Sequence, residues 1–280
     1  MWSGAKMHSV ATRNEQKLDR LLRSIPQGMV VDAAWLTAAG YSTSLRSQYV
    51  AAGWLERPAR GVYQRPAAEL TWETVLASLQ HLMHKPLHVG GRSALELRGF
   101  GPNPAPGVPT SVIVYTDEPL SAWLHQLPDM PTFETRTIAP LFPSDGSGTA
   151  AATVAPLDTA ARYPLLVSVP ERAWLELLAD VPHRIAFEMA DAMGDGLRTL
   201  RPALLQRLLE ASRSVKVRRL ALWFADRHVQ PWRERLDRER IDLGTGNRML
   251  VPNGRLDPTY RITYPRGLDV GETAVRLRRG

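Results

Sequence analysis

Residues 44–66, SLRSQYVAAGWLERPARGVYQRP, join the end of a helix to a tight turn between two short strands. Apolar side chains recur at helical spacing up to residue 52, and Gly53 is a typical helix stop. Segments 54–57 and 62–65 have strand composition, with a PARG turn between them. A helix running directly into a β-hairpin is therefore predicted, which strongly limits the possible folds.

The segments before this hairpin predict two more helices. Leucines and Ile25 recur at helical spacing in residues 13–25, and the sequence PQG follows them. Asp32 is a good N-cap for a second helix, which Gly40 would end. The order of helix, helix, turn, helix and hairpin is that of a winged helix-turn-helix. We expect this domain at residues 13–66, after a flexible lead at 1–12.

The helix after the turn would enter the major groove of duplex DNA. Small hydroxyl, amide and guanidinium side chains reach base edges and phosphates without clashing. Candidates for groove contacts are Ser44, Arg46, Ser47 and Gln48. Arginines of the hairpin would bind backbone phosphate; these are Arg57, Arg60 and Arg65. The alternative is a winged helix that binds another protein through a solvated basic edge.

Charge is distributed unevenly along the 280 residues. Residues 1–66 carry nine Lys and Arg against four Asp and Glu, and residues 201–280 carry eighteen against nine. Residues 67–200 carry eight against fifteen. Basic ends that flank an acidic middle suggest nucleic acid or another acidic partner for the ends.

The rest of the chain alternates helical and strand patterns, so the predicted class is α+β: a winged helix followed by a larger mixed α/β region at 67–265. A Pro/Gly-rich segment at 101–110 suggests a sub-boundary, and residues 266–280 a loose basic tail. Cysteine is absent, and no apolar run is long enough to span a membrane. We therefore expect a cytoplasmic protein without membrane contact.

No pattern of a catalytic, metal or cofactor site stands out. His81, His84 and His88 lie close in sequence, but Pro86 interrupts them, and no metal site is predicted. LGTGNR at 243–248 is better explained as a β-turn than as a phosphate loop. An enzyme, such as a nuclease using Glu188, Asp191 and Asp195, is kept as a rival hypothesis; the main prediction is a non-enzyme without a cofactor.

Four stretches resemble the AbiEi antitoxin family of bacterial type IV toxin–antitoxin, or abortive infection, systems. They are AAGWLERPARGVYQRP, VSVPERAWLELL, LRPALLQRLLEASRSVKVRRLALWFADRH and IDLGTGNRMLVPNGRLDPTYRITYP. Together they extend over most of residues 13–265. The arginine-rich helix and the LGTG turn, in this order and at close spacing, are the more specific of these motifs.

The resemblance implies a bifunctional protein. The winged helix would bind inverted repeats in its own promoter and repress the operon, and the C-terminal domain would counteract a nucleotidyltransferase-like toxin, directly or indirectly, as part of phage defence. The region expected to carry antitoxicity is centred on Lys216, Arg218, Arg219, Arg227 and Arg248. The remaining alternative is a plain transcription factor with a ligand-sensing C-terminal domain.

Overall fold

A computed structural model describes residues 15–101, 107–143, 151–159 and 163–268. The lead predicted at 1–12 and most of the predicted basic tail lie outside these ranges. Helices and several sheets are both present, which confirms a mixed α+β chain.

The chain divides into two compact units. The N-terminal unit comprises Met1–Pro86, Pro119–Thr132 and Leu157–Leu165, and the C-terminal unit comprises Leu87–Glu118, Phe133–Pro156 and Leu166–Gly280.

In the described residues of the N-terminal unit, α-helices accompany a three-stranded antiparallel sheet in the order β1-β3-β2. Asp32 is the N-cap of the second helix, as predicted, and Ser42 is the N-cap of the third, since their side chains accept from the amides of Trp35 and Leu45. In chain order the elements are α1 (15–24), β1 (Val30–Asp32), α2 (Ala33–Ala38), α3 (Thr43–Ala51), β2 (Glu56–Ala59), β3 (Val62–Gln64) and α4 (Trp72–His81).

Helix α4 is part of this unit, although the sequence suggested a boundary at residue 66. Ser78 on α4 accepts a hydrogen bond from the amide of Val30 in β1 at 3.0 Å. The indole of Trp35 donates to the carbonyl of Leu82 just beyond α4, at 2.9 Å. These buried bonds explain why the compact unit continues to Pro86.

The C-terminal unit is built on a five-stranded sheet in the order β6-β5-β4-β8-β7, in which β4 pairs antiparallel with β5 and parallel with β8. Its elements are β4 (Leu87–Val89), α5 (Gly91–Leu97), β5 (Ser111–Thr116), β6 (Thr132–Arg136), β7 (Val154–Leu157), β8 (Leu165–Ser168), α6 (Pro170–Asp180), α7 (Phe187–Gly196), α8 (Pro202–Ala211), α9 (Val215–Arg227) and the antiparallel hairpin of β9 (Arg255–Asp257) and β10 (Ile262–Tyr264). Short 3-10 turns of this unit cover Ala151–Thr153 and Arg233–Arg235, and a further one, Ala122–Gln126, belongs to the N-terminal unit.

Helices α6 and α9 supply the large apolar side chains of the C-terminal core. Trp174 on α6 packs edge-on against Phe224 on α9, and Phe224 also meets Trp223 edge-on. All three side chains are almost completely buried. None of the helices in the described part of the chain is long and apolar enough to cross a membrane.

A buried carboxylate ties α6 to the central strands. Glu176 accepts hydrogen bonds from the Gly91 amide at 2.9 Å, the Ser168 hydroxyl at 2.8 Å and Arg172 Nε at 2.7 Å, and His88 Nε2 lies 3.2 Å from it. Burial alone would raise the pKa of Glu176, but the Arg172 charge and the His88 contact lower it to about 2. Glu176 is therefore an ionised anchor between helix and sheet.

Candidate nucleic-acid interface

Helix α3 exposes a face of small polar side chains. Ser44, Ser47 and Gln48 are exposed, whereas Tyr49 is buried in the core of the N-terminal unit. The Ser47 hydroxyl donates to its own helix, at the carbonyl of Thr43, 3.1 Å away. The hydroxyl and amide groups on this face can exchange hydrogen bonds with base edges.

The hairpin that follows α3 exposes two arginines. The side chains of Arg57 and Arg60 make no hydrogen bond or ion pair with any other residue that the structure describes, and both are exposed. The register shifts between Glu56 and Ala59, so Arg57 lies at an irregularity of the β2–β3 ladder. Two unpaired guanidinium groups on one short hairpin are suited to contact phosphate.

Arg65 occupies a different position from the other two hairpin arginines. It is half-buried, and its Nη1 donates to the carbonyl of Leu22 on α1 at 3.2 Å. This bond fixes the end of the hairpin against α1. A phosphate contact by Arg65 would have to share its guanidinium with this internal bond.

Arg46 does not belong to the exposed face of α3, contrary to the sequence-based expectation. It is 5% exposed. Its Nη1 donates to the carbonyl of Ala33 at 2.7 Å, its Nη2 donates to the Thr43 hydroxyl at 2.8 Å, and the guanidinium lies over the Tyr63 ring at 5.8 Å. Arg46 therefore joins the start of α2, helix α3 and the hairpin, and is not placed to read a base.

Replacing Arg46 by alanine should lower the free energy of unfolding by about 2–4 kcal/mol, because a large buried side chain and its hydrogen bonds are lost together. Ser44→Ala on the exposed face is the matched control and should stay within about 0.5 kcal/mol of the natural protein. Chemical denaturation of both variants makes the comparison. Equal stability of the two would show that Arg46 does not join these elements.

Two of the five residues predicted for antitoxicity are bound to backbone carbonyls inside the C-terminal unit. Lys216 Nζ donates to the carbonyls of Ala179 and Val181 at the end of α6, both at 2.6 Å. Arg219, 1% exposed, donates to the carbonyls of Leu243, Gly246, Arg261 and Thr245 at 2.7 to 3.3 Å. The two side chains thus stabilise helix and turn ends rather than forming an open surface.

The other three predicted residues differ in their surroundings. Arg218 is largely buried, with Nη2 3.5 Å from Asp242. Arg227 forms two hydrogen bonds to Asp191, at 2.6 and 3.0 Å. Arg248 is exposed. Of the five, Arg248 is the one whose side chain faces solvent, so the structure does not gather these residues into one exposed site.

Two of the three carboxylates of the rival enzyme hypothesis contact basic side chains, whereas the third, Glu188, is exposed. Asp191 binds Arg227 and lies 2.8 Å from His228 Nε2, and Asp195 lies 3.5 Å from His228 Nδ1. Burial would raise the pKa of Asp191, but the contacts with His228 and Arg227 lower it to about 2. In the described residues no group of three or more His, Asp or Glu side chains could hold a metal ion.

The three histidines that are close in sequence have separate surroundings. His81 Nε2 lies 2.8 Å from the carbonyl of Pro164, and His88 contacts Glu176 and stacks on Tyr115. Sequence reasoning missed the anchoring role of Glu176, because its partners other than Arg172 come from β4, α5 and β8 and show no local motif.

Comparisons with known proteins cover nearly the whole chain. Residues 110–265 match the family "Transcriptional regulator, AbiEi antitoxin, Type IV TA system", and residues 14–103 match "Transcriptional regulator, AbiEi antitoxin N-terminal domain". The N-terminal match ends at residue 103 and the C-terminal match begins at residue 110, both within the Pro/Gly-rich segment at 101–110. No curated protein matches the chain.

A solved structure is similar over the same length. The crystal structure of the RV2827C protein from Mycobacterium tuberculosis matches with a TM-score of 0.58 and 16% sequence identity, covering 96% of this chain and 95% of that one. At this identity the similarity shows a shared fold alone. The family matches show more: this chain belongs to the AbiEi antitoxins and transcriptional regulators of type IV toxin–antitoxin systems.

Proposed function

We propose that the N-terminal unit is a winged helix-turn-helix that binds duplex DNA. Helix α3 enters the major groove with Ser44, Ser47 and Gln48, and the β2–β3 hairpin is the wing that contacts phosphate through Arg57 and Arg60. The observation that carries this proposal is the pair of exposed hairpin arginines, which have no partner among the described residues, directly after the polar face of α3.

Gln48 is the side chain best suited to discriminate between bases, because an amide can donate and accept at once, as adenine requires. Gln48→Ala should reduce the preference for the promoter sequence by about 1–3 kcal/mol while leaving nonspecific affinity nearly unchanged. Competition between promoter and scrambled duplexes measures this ratio. An unchanged ratio would remove Gln48 from the set of base-reading residues.

We further propose that the protein is a non-enzymatic antitoxin that represses its own operon by binding inverted repeats in the promoter. Its C-terminal unit counteracts a nucleotidyltransferase-like toxin encoded next to it. Family membership supports both roles. The pairing of Asp191 with Arg227 and His228 favours a binding protein over a metal-dependent nuclease at that position. Repression of an operon would place the protein in the cytoplasm.

A separation of the two roles in cells tests this proposal. The full-length Arg57→Ala/Arg60→Ala variant should release a reporter fused to its own promoter, because promoter affinity is lost. The same variant should still protect growth against the product of the neighbouring toxin gene, because its C-terminal unit is unchanged. Loss of protection together with repression would contradict the division of roles. Full repression without any protection by the natural protein would instead favour a plain transcription factor.

A further inference from the structure

The C-terminal unit contains a cavity of about 280 Å³ that has no role in the function proposed above. It lies between α5, strands β5 and β6, and the start of α7. Its polar wall consists of the three arginines Arg92, Arg136 and Arg184 together with Glu134, and apolar side chains such as Ile113 and Met189 form the rest. A small cavity with several convergent polar groups and an apolar wall has the general character of a ligand site.

One of the three arginines is fixed by the protein itself. Arg136 donates from Nε to Asp180 at 2.8 Å, from Nη2 to Glu134 at 2.8 Å and from Nη1 to the carbonyl of Thr135 at 3.0 Å. Its contacts are short and involve all three nitrogens. Arg136 therefore acts as a rigid part of the wall, and its replacement would disturb the fold.

The other two arginines are held less tightly by the protein. Arg92 makes only long contacts, 3.3 Å to the Ser111 hydroxyl and 3.5 Å to Glu96, and its buried Nε has no acceptor among the described residues. Arg184 is exposed and reaches Asp180 at 3.4 Å. The Arg92 Nε and the solvent-facing guanidinium of Arg184 are therefore available to an acceptor that enters the cavity.

Helix α7 adds further donors at the edge of the cavity. Its N-cap is Ala186, which lines the cavity and has no side chain that could accept from the first amides of the helix. Uncapped amides at a helix start attract anions. They support the arginines here but would not define a site without them.

We propose that this cavity binds a small organic phosphate monoester, with nucleoside monophosphates as the ligand class. The phosphate accepts hydrogen bonds from Arg92 and Arg184, since guanidinium groups match phosphate oxygens well. The organic part packs on Ile113 and Met189. Glu96, Glu134 and Asp180 balance the three arginine charges, so directed N–H groups rather than net charge hold the ligand.

Titration calorimetry of the full chain with AMP, GMP, CMP and UMP tests this proposal, with the four nucleosides, inorganic phosphate and citrate as comparison ligands. At least one monophosphate should bind about tenfold or more tightly than its nucleoside, because the charge-assisted hydrogen bonds are absent from the nucleoside. It should also bind more tightly than inorganic phosphate, which lacks the apolar contact. Citrate should bind more weakly than the monophosphate.

Arg92→Gln and Arg184→Gln should each weaken the best monophosphate by about tenfold, whereas Arg207→Gln, an exposed change on α8, should leave it unchanged. Circular dichroism confirms that each variant is folded. The proposal fails if no monophosphate binds, if nucleosides or citrate bind equally well, or if Arg207→Gln weakens binding as much as the cavity variants. These outcomes are independent of DNA binding and of protection against a toxin.

Discussion

Replacing Arg57 and Arg60 together by alanine should weaken binding to every duplex sequence and make it less dependent on salt. Each arginine that contacts a phosphate releases a condensed counterion, so loss of two contacts should reduce the slope of log K against log salt concentration by about two. Fluorescence anisotropy with promoter and scrambled duplexes, from about 50 to about 200 mM salt, measures both slope and affinity.

Arg23→Ala is the matched control for this result. Arg23 is an exposed arginine of α1 in the same unit, and it pairs with Asp19 at 2.9 Å. Its removal should change neither slope nor affinity by more than a small amount. An unchanged slope in the double variant, or an equal change after Arg23→Ala, would show that Arg57 and Arg60 do not bind phosphate.

Replacing Glu176 by glutamine should lower the free energy of unfolding of the C-terminal unit by about 3–5 kcal/mol. Glutamine keeps the shape of the side chain but removes the charge that compensates the buried Arg172, and its amide brings a donor against three groups that donate to Glu176. Thermal and denaturant unfolding measure the loss.

Acidification of the natural protein should also lower its free energy of unfolding. The pKa of Glu176 is lowered from 4.5 to about 2 by folding, so its ionised form stabilises the protein fully above pH 4.5. That stability should be lost as the pH falls through about 2.

Glu188→Gln, at an exposed position of α7, is the control for Glu176→Gln and should leave stability nearly unchanged. A similar stability of the two variants would contradict the role given to Glu176.

Much of the N-terminal unit could be predicted because its signals are local. The cap at Asp32 and the stops at Gly40 and Gly53 depend on residues within a turn of each helix end, and the structure has them where the sequence predicts. Local signals could not show that α4 belongs to the N-terminal unit. Its assignment depends on the contact of Ser78 with Val30, forty-eight residues away.

Whether an individual arginine is buried or exposed was harder to predict than the helix that carries it. Arg46 lies at the margin of the exposed face on a helical wheel, and only the tertiary positions of Ala33 and Tyr63 turn it inward. Arg219 likewise looks like part of a basic surface until residues 243–246 fold over it. Gly244 and Gly246 there adopt left-handed conformations, and the carbonyls of this turn accept from Arg219.

Contact between α3 and duplex DNA is the central claim, and the absence of cysteine from the chain allows a direct measurement. A single cysteine introduced as Ser47→Cys, carrying a short photo-crosslinker, should attach to a duplex of the protein's own promoter on illumination. The same label at Gln16→Cys, exposed on α1, should attach far less. Strong crosslinking from position 47 alone is the predicted result; equal crosslinking from both positions, or none from position 47 in a complex that has formed, would contradict the claim.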